Sequence, residues 1–166
     1  MANKSVHQLA FASNRLAGDL LYIVRSGSDY RLDESKMAPA IQTAVVTLSS
    51  AQVLALNTTP ILVVPAADAG TVIVPMRGLV EFSGGSNDYA ANTILTVGST
   101  TTIGDSNYVL EASISDRTKP NTLTLTIGTT AGMVAGDSLS VRVKTGNPTT
   151  GNSTVKVTVW YYIFSV

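Results

Sequence analysis

Residues 122–127 read Thr-Leu-Thr-Leu-Thr-Ile, a β-branched polar residue alternating with an apolar one at every step. A period of two sorts side chains onto opposite faces of an extended strand, whereas a helix needs a period near 3.6. Leu123, Leu125 and Ile127 are therefore expected to face a core. Residues 138–144 repeat the pattern with Leu139, Val141 and Val143. Residues 155–164 begin by alternating and end apolar on both faces, so both faces of that strand call for a cover. Trp160, Tyr162 and Phe164 fall on one face and Tyr161 and Ile163 on the other.

The rest of the chain after residue 41 obeys the same grammar. Residues 43–48, 61–64, 71–74, 78–82 and 93–97 read as strand pieces between turn signals. Pro75 separates two of them and, having no N–H to donate, belongs at an edge or a bulge. Residues 49–56 (SSAQVLAL) read as one helical turn capped by Ser49 or Ser50, with Val53, Leu54 and Leu56 packing inward. Gly-Asp-Ser occurs at residues 104–106 and 136–138, each time ahead of an apolar strand. About seven or eight strands at turn spacings of roughly 8–12 residues indicate a mainly β fold, a β-sandwich or jelly-roll-like domain over residues 41–166.

The first 40 residues differ in kind. They carry nine of the 22 charged side chains of the 166-residue chain, which is formally neutral and only 13% charged overall, against about 25% in an average domain. The reading there is a short helix after Ser5, an apolar run at residues 20–24, a turn at residues 26–29 and a returning strand at residues 30–32. This small α+β appendage is too short to bury much surface alone. The charge deficit beyond it indicates a surface dressed with Ser, Thr and Asn or covered by partners. Neutrality leaves no electrostatic footprint for nucleic acid. No apolar run reaches the ~20 residues of a membrane span, and no signal-peptide pattern is visible at the N-terminus.

The inventory for chemistry is poor. His7 is the one histidine and there is no cysteine, so neither a Ser-His-Asp arrangement in the β-domain nor an N/S metal site is expected. Asp88, Asp105, Asp116 and Asp137 sit in turns, where Asp serves local backbone hydrogen bonds. Glu81 and Glu111 are the carboxylates that a glycoside hydrolase would need, and surface or ion-pair roles account for them better. Asn57-Thr58-Thr59 and Asn152-Ser153-Thr154 match the glycosylation sequon and read as turn residues. No catalytic residue, metal or cofactor is expected. A ligand site on the loops at residues 83–92 and 147–152, with Asn87 and Tyr89 as contacts and Tyr89 stacking on a sugar, is the alternative use of the surface.

One resemblance goes further. Lys4-Ser5-Val6-His7-Gln8-Leu9, then Leu16-Ala17-Gly18-Asp19-Leu20-Leu21-Tyr22-Ile23-Val24, then Gly27-Ser28-Asp29-Tyr30-Arg31-Leu32 resembles the N-terminal segment of tailed-bacteriophage virion proteins of the tail-fibre and head-fibre type. Residues 48–66 and 151–162 resemble their β-domains. The resemblance implies a virion-attachment segment at residues 1–40, with Leu9, Leu16, Asp19, Leu20, Leu21, Tyr22, Tyr30 and Leu32 as docking residues. It implies a structural, non-enzymatic protein of the particle surface, made in the host cytoplasm, forming a homotrimer and docking on capsid or tail proteins. Many relatives continue into long fibres whereas this sequence stops at Val166, which favours a short head fibre or decoration protein. Val159, Trp160, Tyr162 and Phe164 are the expected oligomer interface. A receptor- or carbohydrate-binding spike that touches a host surface glycan is the alternative.

Overall fold

The computed structural model describes residues 21–25, 28–32, 40–99, 109–126 and 135–166. The chain divides into two compact units, Met1–Ala38 and Pro39–Val166. In the first, β1 (Leu21–Arg25) and β2 (Ser28–Leu32) pair antiparallel, with Leu21 opposite Leu32 and Arg25 opposite Ser28. Of the attachment residues expected from the sequence, Leu21 and Tyr22 lie on β1 and Tyr30 and Leu32 on β2. Leu9, Leu16, Asp19 and Leu20 lie outside the described residues, as does His7.

The second unit is a β-sandwich. It comprises β3 (Gln42–Leu48), α1 (Ser50–Leu54), β4 (Ile61–Val64), β5 (Thr71–Ser83), β6 (Ile94–Ser99), β7 (Val109–Ser113), β8 (Asn121–Thr126), β9 (Leu139–Val143) and β10 (Thr154–Ser165). The order β3-β10-β5-β8-β7-β6-β9-β4 is antiparallel throughout. β8 joins two four-stranded sheets: Asn121, Thr122 and Leu123 pair with β5, and Leu125 pairs with Leu110 of β7. Strands consecutive in sequence mostly fall in different sheets, and the order is that of a double Greek key, a jelly roll.

Between the sheets lies one core. β10 contributes Val155, Val157, Val159 and Tyr161, β5 contributes Ile73 and Val80, and the facing sheet contributes Leu95, Val97, Leu110, Leu139, Val141 and Val143. Alternation operates on β10 as its sequence requires: each of the odd-numbered residues 155–161 is buried in this core. Side-chain placement on β8 is described only in part, and Ile127 lies outside the described residues.

The turn after β3 forms for a local reason. Ser49 is the N-cap; its hydroxyl accepts the Gln52 N–H at 3.3 Å while Gln52 Oε1 accepts the Ser49 N–H at 2.8 Å. This capping box satisfies two otherwise orphaned donors. The turn then drops Val53 and Leu56, both fully buried, into the core, with Leu54 packed against it.

β5 runs as one strand through Pro75, not as two pieces. The register of β10 against β5 shifts between Trp160, opposite Arg77, and Tyr161, opposite Pro75, so Met76 is the extra residue of a bulge. On its other side β5 pairs with β8 only through Gly78, Leu79 and Val80. Pro75 therefore sits where a bulge and an edge coincide, and its missing N–H leaves no hole in the β5–β8 ladder.

These placements set the mutational profile. Leu110→Ala removes a fully buried side chain and is expected to cost about 3 kcal/mol in chemical denaturation. Leu62→Ala, at a site 53% exposed, is expected to change stability by less than ~0.5 kcal/mol. Ser49→Ala is expected to cost about 1 kcal/mol.

Candidate functional site

The loops nominated as a ligand site turn out to be a structural latch. Tyr89 is only 2% exposed, and its hydroxyl donates to the Ser153 carbonyl at 2.5 Å. Its ring lies against Gly151, where a Cβ would come within 2.2 Å of Tyr89 Cδ1, and Gly151 holds φ at +119°. The ring is thus the loop's anchor into the core rather than an exposed stacking surface, which corrects the sugar-stacking role expected of it. The misleading signal was composition: small polar neighbours flank Tyr89 in sequence, while the atoms that enclose it come from residues 151–153.

Asn87 remains exposed, and its backbone is tied down. Asn152 Oδ1 accepts the N–H groups of Ser86 and Asn87 at 2.8 and 2.9 Å. Asp88 receives the Arg117 N–H at 3.2 Å and pairs with its guanidinium at 3.5 Å. Ala90 and Thr150 form a bridge. Both sequons are likewise structural: Asn57 donates through Nδ2 to the Val143 carbonyl at 2.7 Å, and Ser153 is fully buried.

Charged groups elsewhere pair off along the strands. Lys156 and Glu81 face each other across β10 and β5 at 2.5 Å, and Lys144 pairs with Glu111. Among the described residues no three His, Cys, Asp or Glu side chains cluster as metal ligands, and no helix is long and apolar enough to cross a membrane. The Asp116 carboxyl is held below the usual carboxylate range by hydrogen bonds from the Thr118 hydroxyl and N–H.

What stands out is the outer face of the β3-β10-β5-β8 sheet. Register places Val45, Thr158, Leu79 and Thr122 in one row across it, and Thr43, Trp160 and Arg77 in the next. Beyond the bulge, Tyr162 lies opposite Val74 and Phe164 opposite Val72. Arg77 Cζ stands 4.6 Å from the Trp160 ring centroid, a cation–π contact. Tyr162 and Phe164 meet edge to face at 5.7 Å and 71°. Phe164, Met76 and Val45 are 40%, 41% and 56% exposed.

Three of the four residues expected at an oligomer interface, Trp160, Tyr162 and Phe164, share this surface. The fourth, Val159, is fully buried in the sandwich core and is a packing residue of its own chain. Strand alternation already separates it from the other three. Arg77, Met76 and Val45 belong to the face and were not singled out from sequence. Their membership depends on strand register, and at Met76 on the bulge, neither of which local periodicity reports.

Comparison with models of protein families, with curated proteins and with solved structures gives no match to this chain.

Three outcomes follow from this geometry. Burial pushes the Tyr89 hydroxyl from 10.0 up to about 12. The folded state thus holds that proton more tightly than the unfolded chain, so the associated stability is intact below pH ~10 and is lost as pH rises toward 12. Tyr89→Phe should lower stability at neutral pH by about 1 kcal/mol and flatten the alkaline decline measured by urea titration. Gly151→Ala drives a methyl into the Tyr89 ring and strains the backbone, with an expected loss of about 3 kcal/mol in the same assay. Trp160 is the sole tryptophan; Arg77→Ala should therefore raise its quenching by acrylamide and shift its emission to the red.

Proposed function

We propose that the chain is a structural, non-enzymatic protein of a tailed-phage particle surface, a short head-fibre or decoration protein. Residues 1–40 attach it to the particle and the β-sandwich projects as a homo-oligomer. The observation that carries the reading is the outward Trp160, Tyr162 and Phe164 strip with Arg77, Met76 and Val45 around it. A sheet face of this kind is more apolar than a solvated antiparallel sheet normally presents. It accounts for the charge deficit of the sequence, because a face covered by protein needs no charged dressing. Aromatic and Arg side chains are also the types enriched where protein surfaces meet.

The resemblance of residues 4–32 to phage attachment segments supports the particle surface as its location. The jelly-roll strand order is compatible with that role and does not by itself select it, since the same architecture serves capsid, lectin and enzyme domains. The glycan-binding alternative at residues 83–92 lacks its stacking ring, because Tyr89 is buried in the core.

Mass spectrometry of purified particles from cells that make this chain is the direct test. The chain is expected in multiple copies per particle. Leu20→Asp or Leu21→Asp is expected to deplete it from particles while leaving the thermal unfolding of the sandwich unchanged in the purified full chain. Absence of the wild-type chain from particles would overturn the reading. Dilution from micromolar to nanomolar concentration should shift Trp160 emission to the red as the oligomer dissociates.

A further inference from the structure

The two ends of the strand order are treated very differently. β4 is four residues long, is flanked by Pro60 and Pro65, and carries a register shift between Leu62 and Val64. Shortness, proline and irregularity are the devices by which an edge strand is kept from pairing with another chain. β3, at the other end, has none of them. It is seven residues long, regular in its register with β10, and reads Gln-Thr-Ala-Val-Val-Thr-Leu without a charge or a proline. Among the described residues no strand pairs with its outer edge. Gln42, Thr43, Val45 and Thr47 are exposed, and Ile41 just before them is 58% exposed.

The sequence of this edge is also self-complementary. Turned antiparallel onto a second copy about Val45, the strand sets Val45 against itself, Thr43 against Thr47 and Ala44 against Val46. Val–Val and Thr–Thr are favourable cross-strand pairs, and no like charges meet. The three pairs on the outer face continue the rows of Thr158, Trp160 and Lys156 without a break.

We infer that β3 is the seam by which two copies of this chain join, pairing antiparallel about Val45 into a continuous sheet of eight strands. Such a sheet, β8-β5-β10-β3 followed by the same four in reverse, lies within the size that open sheets sustain. The pairing is isologous and therefore two-fold, in place of the three-fold order expected from the resemblance. The inference rests on the self-association proposed above and adds to it a two-fold contact at the β3 edge, distinct from the outer face that carries Trp160, Tyr162 and Phe164.

Sedimentation equilibrium of the full chain reads the result directly. The wild type is expected at twice the 17.3 kDa chain mass. Val45→Lys sets two ammonium groups opposite each other and is expected at the single-chain mass. Register is tested by double variants that keep both positions exposed. T43K with T47K is expected to abolish pairing, whereas T43K with T47E places Lys opposite Glu at both ends and is expected to retain it. The chain has no cysteine, so Val45→Cys introduces a single thiol, expected to cross-link under mild oxidation while Leu62→Cys on β4 does not. An oligomer that persists in Val45→Lys and in T43K with T47K, both verified as folded by circular dichroism, would overturn the β3 seam and leave self-association standing. A wild type that stays at the single-chain mass at every concentration would overturn both.

Discussion

The pairing of β10 with β5 is the contact on which the rest of this sandwich depends. Twelve residues of β10, from Thr154 to Ser165, lie against β5 from Ser83 back to Thr71, the longest ladder among the described residues. It sends Val155, Val157 and Val159 into the core opposite Phe82, Val80 and Gly78. It also fixes, on the reverse side, where Trp160, Tyr162 and Phe164 emerge. Slipping this ladder by one residue would exchange the two sets, placing three aromatics and a lysine in a core built for valines. The buried face thus specifies the register, and the exposed face inherits it.

The bulge at Met76 belongs to the same constraint. A proline in a strand with neighbours on both sides would orphan a ladder carbonyl, yet Pro75 is buried within β5. Inserting Met76 lets β5 bend away at the point where its contact with β8 stops. Beyond the bulge the outer face carries Val72, Val74, Tyr162 and Phe164, so the change in register separates a Thr-rich half of the face from an aromatic and aliphatic half.

Sequence periodicity made much of this legible. The bounds of β4, the capping role of Ser49, the inward positions of Val53 and Leu56 and the two faces of β10 are local properties, set within a few residues by alternation or by a hydroxyl three positions before an amide. Pro75 at an irregularity follows from one missing N–H. What alternation does not report is who pairs with whom. The order of the eight strands, the continuity of β5 and the grouping of Val45 with Trp160 all depend on partners distant in the chain. Tyr89 shows the difference most sharply. Its own surroundings in sequence are those of an exposed loop, and the residues that bury it, Gly151 and Ser153, lie on the far side of four intervening strands.

The position of β10 in the chain has a consequence for how the sandwich comes to exist. It is the last of the eight strands to be synthesised, yet it sits between β3 and β5. Until it arrives, the first sheet has an empty lane one strand wide, bordered by two rows of unpaired backbone N–H and C=O groups whose ladder partner is still inside the ribosome. Closure also brings together segments about a hundred residues apart, such as Val45 and Thr158, a high contact order of the kind that places β-sandwiches among the slower folders. A nascent chain halted before residue 154 would hold that lane open to any extended segment, including the β10 of a finished neighbour. The strand that completes the fold is therefore also the one whose timing decides how long an unpaired, aggregation-prone sheet edge stays exposed.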